Sequence, residues 1–370
     1  MPAVSPLNQR RWRNFRANRR AFWSLWVFLI LYGVSLFAEF LANDVPIVVN
    51  YRGQYQFPVF TFYSEASYGG EFRTQTDYRT DEVHCLIETG GAELCIFEPD
   101  EARRQAAETG TVEGEPVAPG WMIWPPIPYS FDTLNNLGGP APSAPDGDHW
   151  LGTDGGSRDV LARVIYGFRL SVSFALVVVA ISSLFGIAAG AIQGFFGGVV
   201  DLVAQRLIEL WGSVPSLYVI IIVAAIIPMN FWLLVFLMVM FSWTSLVGVV
   251  RAEFLRARNF EYVRAARALG VSNARIMVRH VLPNAMVATV TLLPFIVTGA
   301  IGSLAMLDFL GFGLPASAPS LGNLTLQAKQ NLQATWLGFT AFFTFAIMLS
   351  LLVFIFEGVR DAFDPRKTFR

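Results

Sequence analysis

Apolar positions in this chain come in long blocks rather than in alternation. Six stretches, at 21–42, 168–194, 202–227, 231–250, 285–307 and 336–356, reach the roughly 20 apolar residues that a bilayer crossing requires. Unpaired backbone groups find no water in lipid, so each stretch predicts a helix. Gly212 and Pro215 predict a kink in the third, and Pro294 predicts one in the fifth. Between the first and second stretches lie about a hundred residues of polar, turn-rich sequence. The expected fold class is an all-α polytopic membrane protein with six transmembrane helices and a small, mainly β or irregular insert.

Composition agrees with that class. Hydrophobic residues make up 54% of the 370 and charged ones only 15%, a departure from the soluble average towards a multi-span protein. The net charge of −1 is a sum of opposed regions and carries no sign of nucleic-acid binding. Arginine clusters before the first stretch (Arg10, Arg11, Arg13, Arg16, Arg19, Arg20), between the fourth and fifth (Arg251, Arg256, Arg258, Arg264, Arg267, Arg275, Arg279) and at the C-terminus (Arg360, Arg366, Lys367, Arg370). Positive segments stay in the cytoplasm, so both termini are expected inside and the insert outside. The chain then divides into a cytoplasmic tail at 1–20, a first span at 21–42, an outer insert with an interfacial helix at 43–167, a five-span core at 168–359 with an inner loop at 251–284, and a second tail at 360–370. The long Arg-rich lead and the lack of a small-residue cleavage site favour a retained anchor over a signal peptide.

In the insert, 47–50 and 54–59 read as strands about Arg52 and Gly53. Cys85 and Cys95, the only two cysteines, bracket Gly90 and Gly91 and suggest a hairpin with the thiols facing. On the oxidising side of a membrane they predict a disulfide. His84 adds too few ligands for a zinc site, so no metal is expected. Residues 159–166 read as a short amphipathic helix lying on the membrane, with contact to a substrate-delivering protein as the functional alternative.

The most distinctive segment is EYVRAARALGVSNARIMVRHVLPN at 261–284. Good helix formers run to Leu269, and Gly270 before Val271 signals a left-handed stop. Ser272 offers an N-cap to a second helix that Pro283 would close. Tyr262, Ala265, Ala266 and Leu269 are spaced by three and four and are expected on one face, flanked by Arg264 and Arg267, with Glu261 in the first turn.

This segment resembles the EAA loop of the permease subunits of bacterial ABC importers, with Arg264 in place of the family's leading Glu and His280 in place of a later Ile. GTDGGSRDVLARVIYG at 152–167, where Ser157 replaces a glycine, together with LDFLGFGLP and VRDAFDP, is similar to the dipeptide and oligopeptide branch, and within it the microcin C and peptide importer group. The resemblance implies a six-helix ABC-type permease in the bacterial inner membrane. It pairs with a second, homologous permease as a heterodimer, with ABC ATPase subunits that bind ATP and Mg, and with a periplasmic solute-binding protein. The cargo it implies is peptide-like. Glu261, Tyr262, Arg264, Ala265, Ala266, Arg267, Leu269 and Gly270 would then be the ATPase-coupling residues.

No catalytic residue or bound cofactor is expected. The chain has only Lys329 and Lys367, neither after a phosphate-binding glycine loop, so energy must come from another subunit. Candidates for a polar translocation path are Ser242, Ser245, Thr289, Thr298 and Ser303. Arg206 and Glu209, three apart, are expected to pair. A secondary transporter would require broken midplane helices in inverted repeats, and a ligand sensor would require a cytoplasmic effector. Neither pattern is evident.

Overall fold

The computed structural model describes residues 6–136 and 138–363; Arg366, Lys367 and Arg370 lie outside them. In chain order the helices are α1 (Pro6–Ala17), α2 (Arg19–Leu36), α3 (Asp81–Thr89), α4 (Leu94–Phe97), α5 (Pro99–Thr109), α6 (Val160–Phe196), α7 (Gly198–Gly212), α8 (Ser216–Ile226), α9 (Phe231–Ser242), α10 (Thr244–Ala257), α11 (Glu261–Ala268), α12 (Asn273–Ile276), α13 (Leu282–Phe309), α14 (Leu321–Gln330) and α15 (Thr335–Phe363). Two compact units result: Met1–Gly33 with Gly167–Arg370, and Val34–Tyr166.

Among the described residues, four helical stretches are long and apolar enough to cross a membrane: Val160–Phe196, Phe231–Ala257, Asn273–Phe309 and Thr335–Phe363. The pair α7 and α8, bent by 59°, makes a fifth if taken as one span. α2 is not among them. Its 18 residues cover about 27 Å at 1.5 Å each, and Arg19 and Arg20 occupy its first turn. The expected stretch at 21–42 ends early, in a 3₁₀ turn at Ala38–Phe40.

Three further expectations change. α6 is one helix of 37 residues, so no separate interfacial helix exists. Asp159 caps it by accepting from Ala162 N at 2.8 Å, and Val160, Ala162 and Arg163 are buried rather than laid on a surface. Pro283 does not end a helix. A π-turn at Met277–Val281 takes up the bond that proline cannot donate, and α13 runs on unbroken through Pro294. The break at Pro215 separates α7 from α8, as its extended ψ of 109° requires. Ser272 sits at the start of α12, but its side chain makes no cap bond.

Glycines set the packing of the helical unit. A Cβ added at Gly186, Gly190 or Gly194 would lie against the carbonyl oxygens of Trp243, Val247 and Arg251, so α6 meets α10 backbone to backbone, as small-residue stripes allow in membranes. Both series rise by four in the same direction. The two helices are therefore parallel, and α7 with α8 must carry the chain back. α2 begins where Ala21 and Phe15 pack on Gly358 near the end of α15. It later sets Phe28 against Phe168, ring centroids 5.8 Å apart, and Tyr32 Oη 3.0 Å from Ser173 Oγ near the start of α6. It follows that the N-terminal arginines, the segment after α10 and the end of α15 share one end of the bundle.

The second unit carries a three-stranded antiparallel sheet, order β2-β1-β3, with β1 at Val48–Tyr51, β2 at Gln54–Gln56 and β3 at Trp121–Ile123. Arg52 and Gly53, with φ of 50° and 77°, form the turn whose twist suits a two-residue hairpin. β2 stops before Pro58, which has no donor for the ladder. Residues 85–95, expected as a hairpin with the cysteines facing, instead lie in α3 and α4, and α5 follows them. The sulfurs of Cys85 and Cys95 are 2.00 Å apart and join α3 to α4. Gly90 and Gly91, both at positive φ, end α3 rather than turn a hairpin. The core collects Val49, Tyr68, Tyr78, Leu86 and Ile87.

Candidate coupling elbow and polar cavity

α10 ends at Ala257, and α11 turns away from it. α11 is closed by a Schellman motif: Gly270, φ 76°, donates to Arg267 O at 3.0 Å, and Val271 donates to Ala266 O at 3.1 Å. This is the left-handed glycine stop expected from Gly270 and Val271. Val263, Ala266, Ile276 and Val281 form a core with Val250, Phe254 and Phe195, and the Arg267 guanidinium stacks over the Phe195 ring at 4.9 Å. Arg251 grips Asp201 through two bonds of 2.5 and 2.7 Å, tying α10 to α7. The elbow is thus fixed to the spans on which it turns.

The expected face divides in two. Leu269 is 83% exposed and Tyr262 39%, while Ala266 is only 8% exposed. Ala265, Glu261, Arg264 and Gly270 are exposed. Neighbouring residues differ by about 100° around a helix, so Ala265 and Ala266 cannot share a narrow stripe. Val263, three residues before Ala266, was the signal that Ala266 turns inward. What the elbow leaves exposed is Tyr262, Ala265 and Leu269 beside Arg264.

The hydroxyls expected on a path separate as well. Ser242 and Ser303 line one cavity of about 260 Å³, together with Ser216, a residue not anticipated although it opens the helix after Pro215. Ser245 donates to Ser242 O at 2.6 Å, Thr298 to Pro294 O at 3.1 Å and Thr289, fully buried, to Ala285 O at 3.3 Å. Those three satisfy their own helices. Arg206 and Glu209 pair at 2.6 Å on the exposed side of α7.

Two loops are held by buried acids. Asp308 accepts from Leu314 N at 2.7 Å and from the Ser320 hydroxyl, and Ser320 in turn caps α14 through Gly322 N and Asn323 N. A Cβ at Gly313 would lie 1.9 Å from Asp308 Oδ1. That contact explains the glycine in LDFLGFGLP. In the second unit Asp154 Oδ1 accepts from Gly156 N and Arg158 N, and His149 Nδ1 lies 2.9 Å from Asp159 Oδ2. Ser157, in the place of the family's glycine, has φ 61°. His84 stacks on Trp124 at 5.9 Å, and among the described residues no three His, Cys, Asp or Glu side chains cluster as a metal would need.

Apolar spans joined by a polar elbow suit a membrane transport subunit, and comparison with known proteins agrees. Residues 182–369 match the family described as binding-protein-dependent transport system inner membrane component, and 5–58 match the N-terminal TM domain of oligopeptide transport permease C. The chain belongs to the first of these families: it is an ABC-transporter permease subunit of the inner membrane, multi-pass and not an enzyme. It is 53% identical to the peptidoglycan transport system permease protein YejE of Agrobacterium fabrum, over 100% of this chain and 96% of that one. It is 50% identical to the inner membrane ABC transporter permease protein YejE of Escherichia coli, over 99% of each. With the oligopeptide transport system permease protein OppC of Bacillus subtilis it shares 32% identity over 64% of this chain and 78% of the relative.

Proposed function

We propose that this chain forms half of the translocation pathway of an importer for peptide-like cargo, beside a second permease. ATPase subunits holding ATP and Mg would grip the elbow, and a periplasmic binding protein would deliver the cargo. α2 would be a sixth span, with both termini and the 251–284 loop in the cytoplasm, the insert in the periplasm, and Cys85 and Cys95 oxidised there.

The observation that carries this reading is the gathering of the Arg-rich segments at one end of the helical unit, which the positive-inside rule assigns to the cytoplasm. Peptide cargo is supported by the names of the oligopeptide relatives. Closure of the ATPases would move α11, and the Arg251–Asp201 pair would pass that movement to α10 and α7. The spans would then rock between inward-open and outward-open packings. Ser216, Ser242 and Ser303 would face the path.

The test follows from the divided face. Leu269→Asp, at an exposed position, should abolish co-purification of the ATPase subunits and leave the thermal transition of the permease unchanged. Ala266→Asp should lower that transition, because it buries a carboxylate against Phe254 and Ile276. Undiminished ATPase association in Leu269→Asp would overturn the coupling assignment.

A further inference from the structure

We propose that α1 and the end of α15 form a binding site for one anionic phospholipid. Between them lies an open apolar groove of about 330 Å³, lined by Trp12, Phe15, Leu25, Ile355, Val359 and Phe363, with Arg11 at its rim. Water filling such a groove would find few partners, so its natural occupant is a hydrocarbon chain.

Charge names the other half of the ligand. From Pro6 to Ala38 the sequence holds no acidic residue, and Arg10, Arg11, Arg13, Arg16, Arg19 and Arg20 fall within it. Arg10, Arg13 and Arg16 are exposed and spaced by three, so they neighbour one another on the helix surface. The Arg11 guanidinium stacks 4.4 Å over the Phe363 ring, which fixes a cation at the mouth of the groove. Against these, among the described residues, stand Glu357 and Asp361 on the facing turns of α15, with Arg360 between them. The local balance is strongly positive. Guanidinium forks match phosphate oxygens in pairs, and a basic helix with an aromatic, apolar side lies in the interface plane of anionic membranes.

Placement agrees with this chemistry. The groove sits where α2 begins and α15 ends, Ala21 and Phe15 packing on Gly358. If both helices cross the bilayer, that is headgroup depth, with Leu25 and Ile355 pointing the acyl chain inward. The site rests on that part of the functional reading alone and on nothing concerning cargo or ATPase docking.

The experiment is native mass spectrometry on the full chain in its assembled complex, stripped of lipid in neutral detergent. The complex is then titrated with phosphatidylglycerol, with phosphatidylcholine of the same chains, and with glycerol phosphate alone. One phosphatidylglycerol should bind about tenfold or more tighter than phosphatidylcholine, from roughly 1 kcal/mol for each basic side chain near the headgroup. Glycerol phosphate should bind negligibly. Arg10→Glu with Arg13→Glu should remove the preference, and Trp12→Ser should weaken both lipids alike. Equal retention of the two lipids, an unchanged preference in the double variant, or binding of glycerol phosphate as tight as the lipid would overturn the site. So would a complex that takes up no lipid, since the groove would then be covered by another chain. ATPase association should persist in the double variant, which separates failure of this site from failure of the coupling assignment.

Discussion

In the unit Val34–Tyr166, a core holds Val49, Leu86 and Ile87 with no exposure at all, while Phe60 and Phe97 stand 73% and 76% exposed around it. In the helical unit Phe295, Phe339 and Phe342 are each more than 60% exposed, while glycines occupy the inner contacts. The first unit is organised by water and stapled by a cystine; the second expects lipid outside, where hydrophobic burial supplies no drive between helices and close backbone approach takes its place. The contrast therefore lies in the inner contacts: large apolar side chains close the core of the insert, whereas glycines open the contact between α6 and α10 to backbone approach.

Substitutions can break that comparison. The largest effect is expected from Gly190→Leu, whose side chain would press into Val247 O and the Val250 side chain; overpacking of about 3 kcal/mol should show as a lost thermal transition or failed membrane insertion. The equivalent change at Gly114, which has open space around it, should cost only the strain of its positive φ. Replacing Cys85 and Cys95 together by serine frees a loop of ten residues and should remove about 3 kcal/mol from the insert alone. Protease cutting within 81–109 should rise while the spans stay intact. If the spans loosened in parallel, the two units would not be separately stabilised.

A pH titration sharpens the contrast further. Burial, together with the 3.0 Å contact between their hydroxyls, holds Tyr68 well above the usual tyrosine range, and burial raises Tyr78 as well. Unfolded tyrosines ionise near 10.0 and the folded pair later. The contribution of this pair is thus complete below pH 10 and declines as pH rises beyond it. Near-ultraviolet circular dichroism should report loosening of the insert above pH 10, and Tyr68→Phe should reduce it. The smallest effect is a gain: Ser157→Gly relieves a left-handed serine and should raise the insert's stability by about 0.5–1 kcal/mol, read from its denaturant midpoint.

Much of the elbow was readable in sequence. Helix formers followed by Gly270 and Val271 encode a local stop, and the Schellman bonds answer to residues within six positions of one another. The orientation of Ala266 was not readable from its two alanine neighbours, because its partner Phe254 stands twelve residues earlier on another helix. Likewise the symmetry of cysteines and glycines over 85–95 suggests a hairpin, whereas Val83, Leu86 and Ile87 share a core and take helical spacing to reach it.

Features that depend on composition or short range can be read from the residues alone: apolar blocks long enough for lipid, the charge bias of the connecting segments, the glycine stop and the break at Pro215. Long-range packing settled that Gly186, Gly190 and Gly194 meet a parallel helix, that Asp308 anchors a loop through Ser320, and that the N-terminal arginines and the segment after α10 lie at one end. Those outcomes depend on which backbones approach each other across tens of residues, and a glycine or an aspartate looks the same in sequence whether or not another helix arrives beside it.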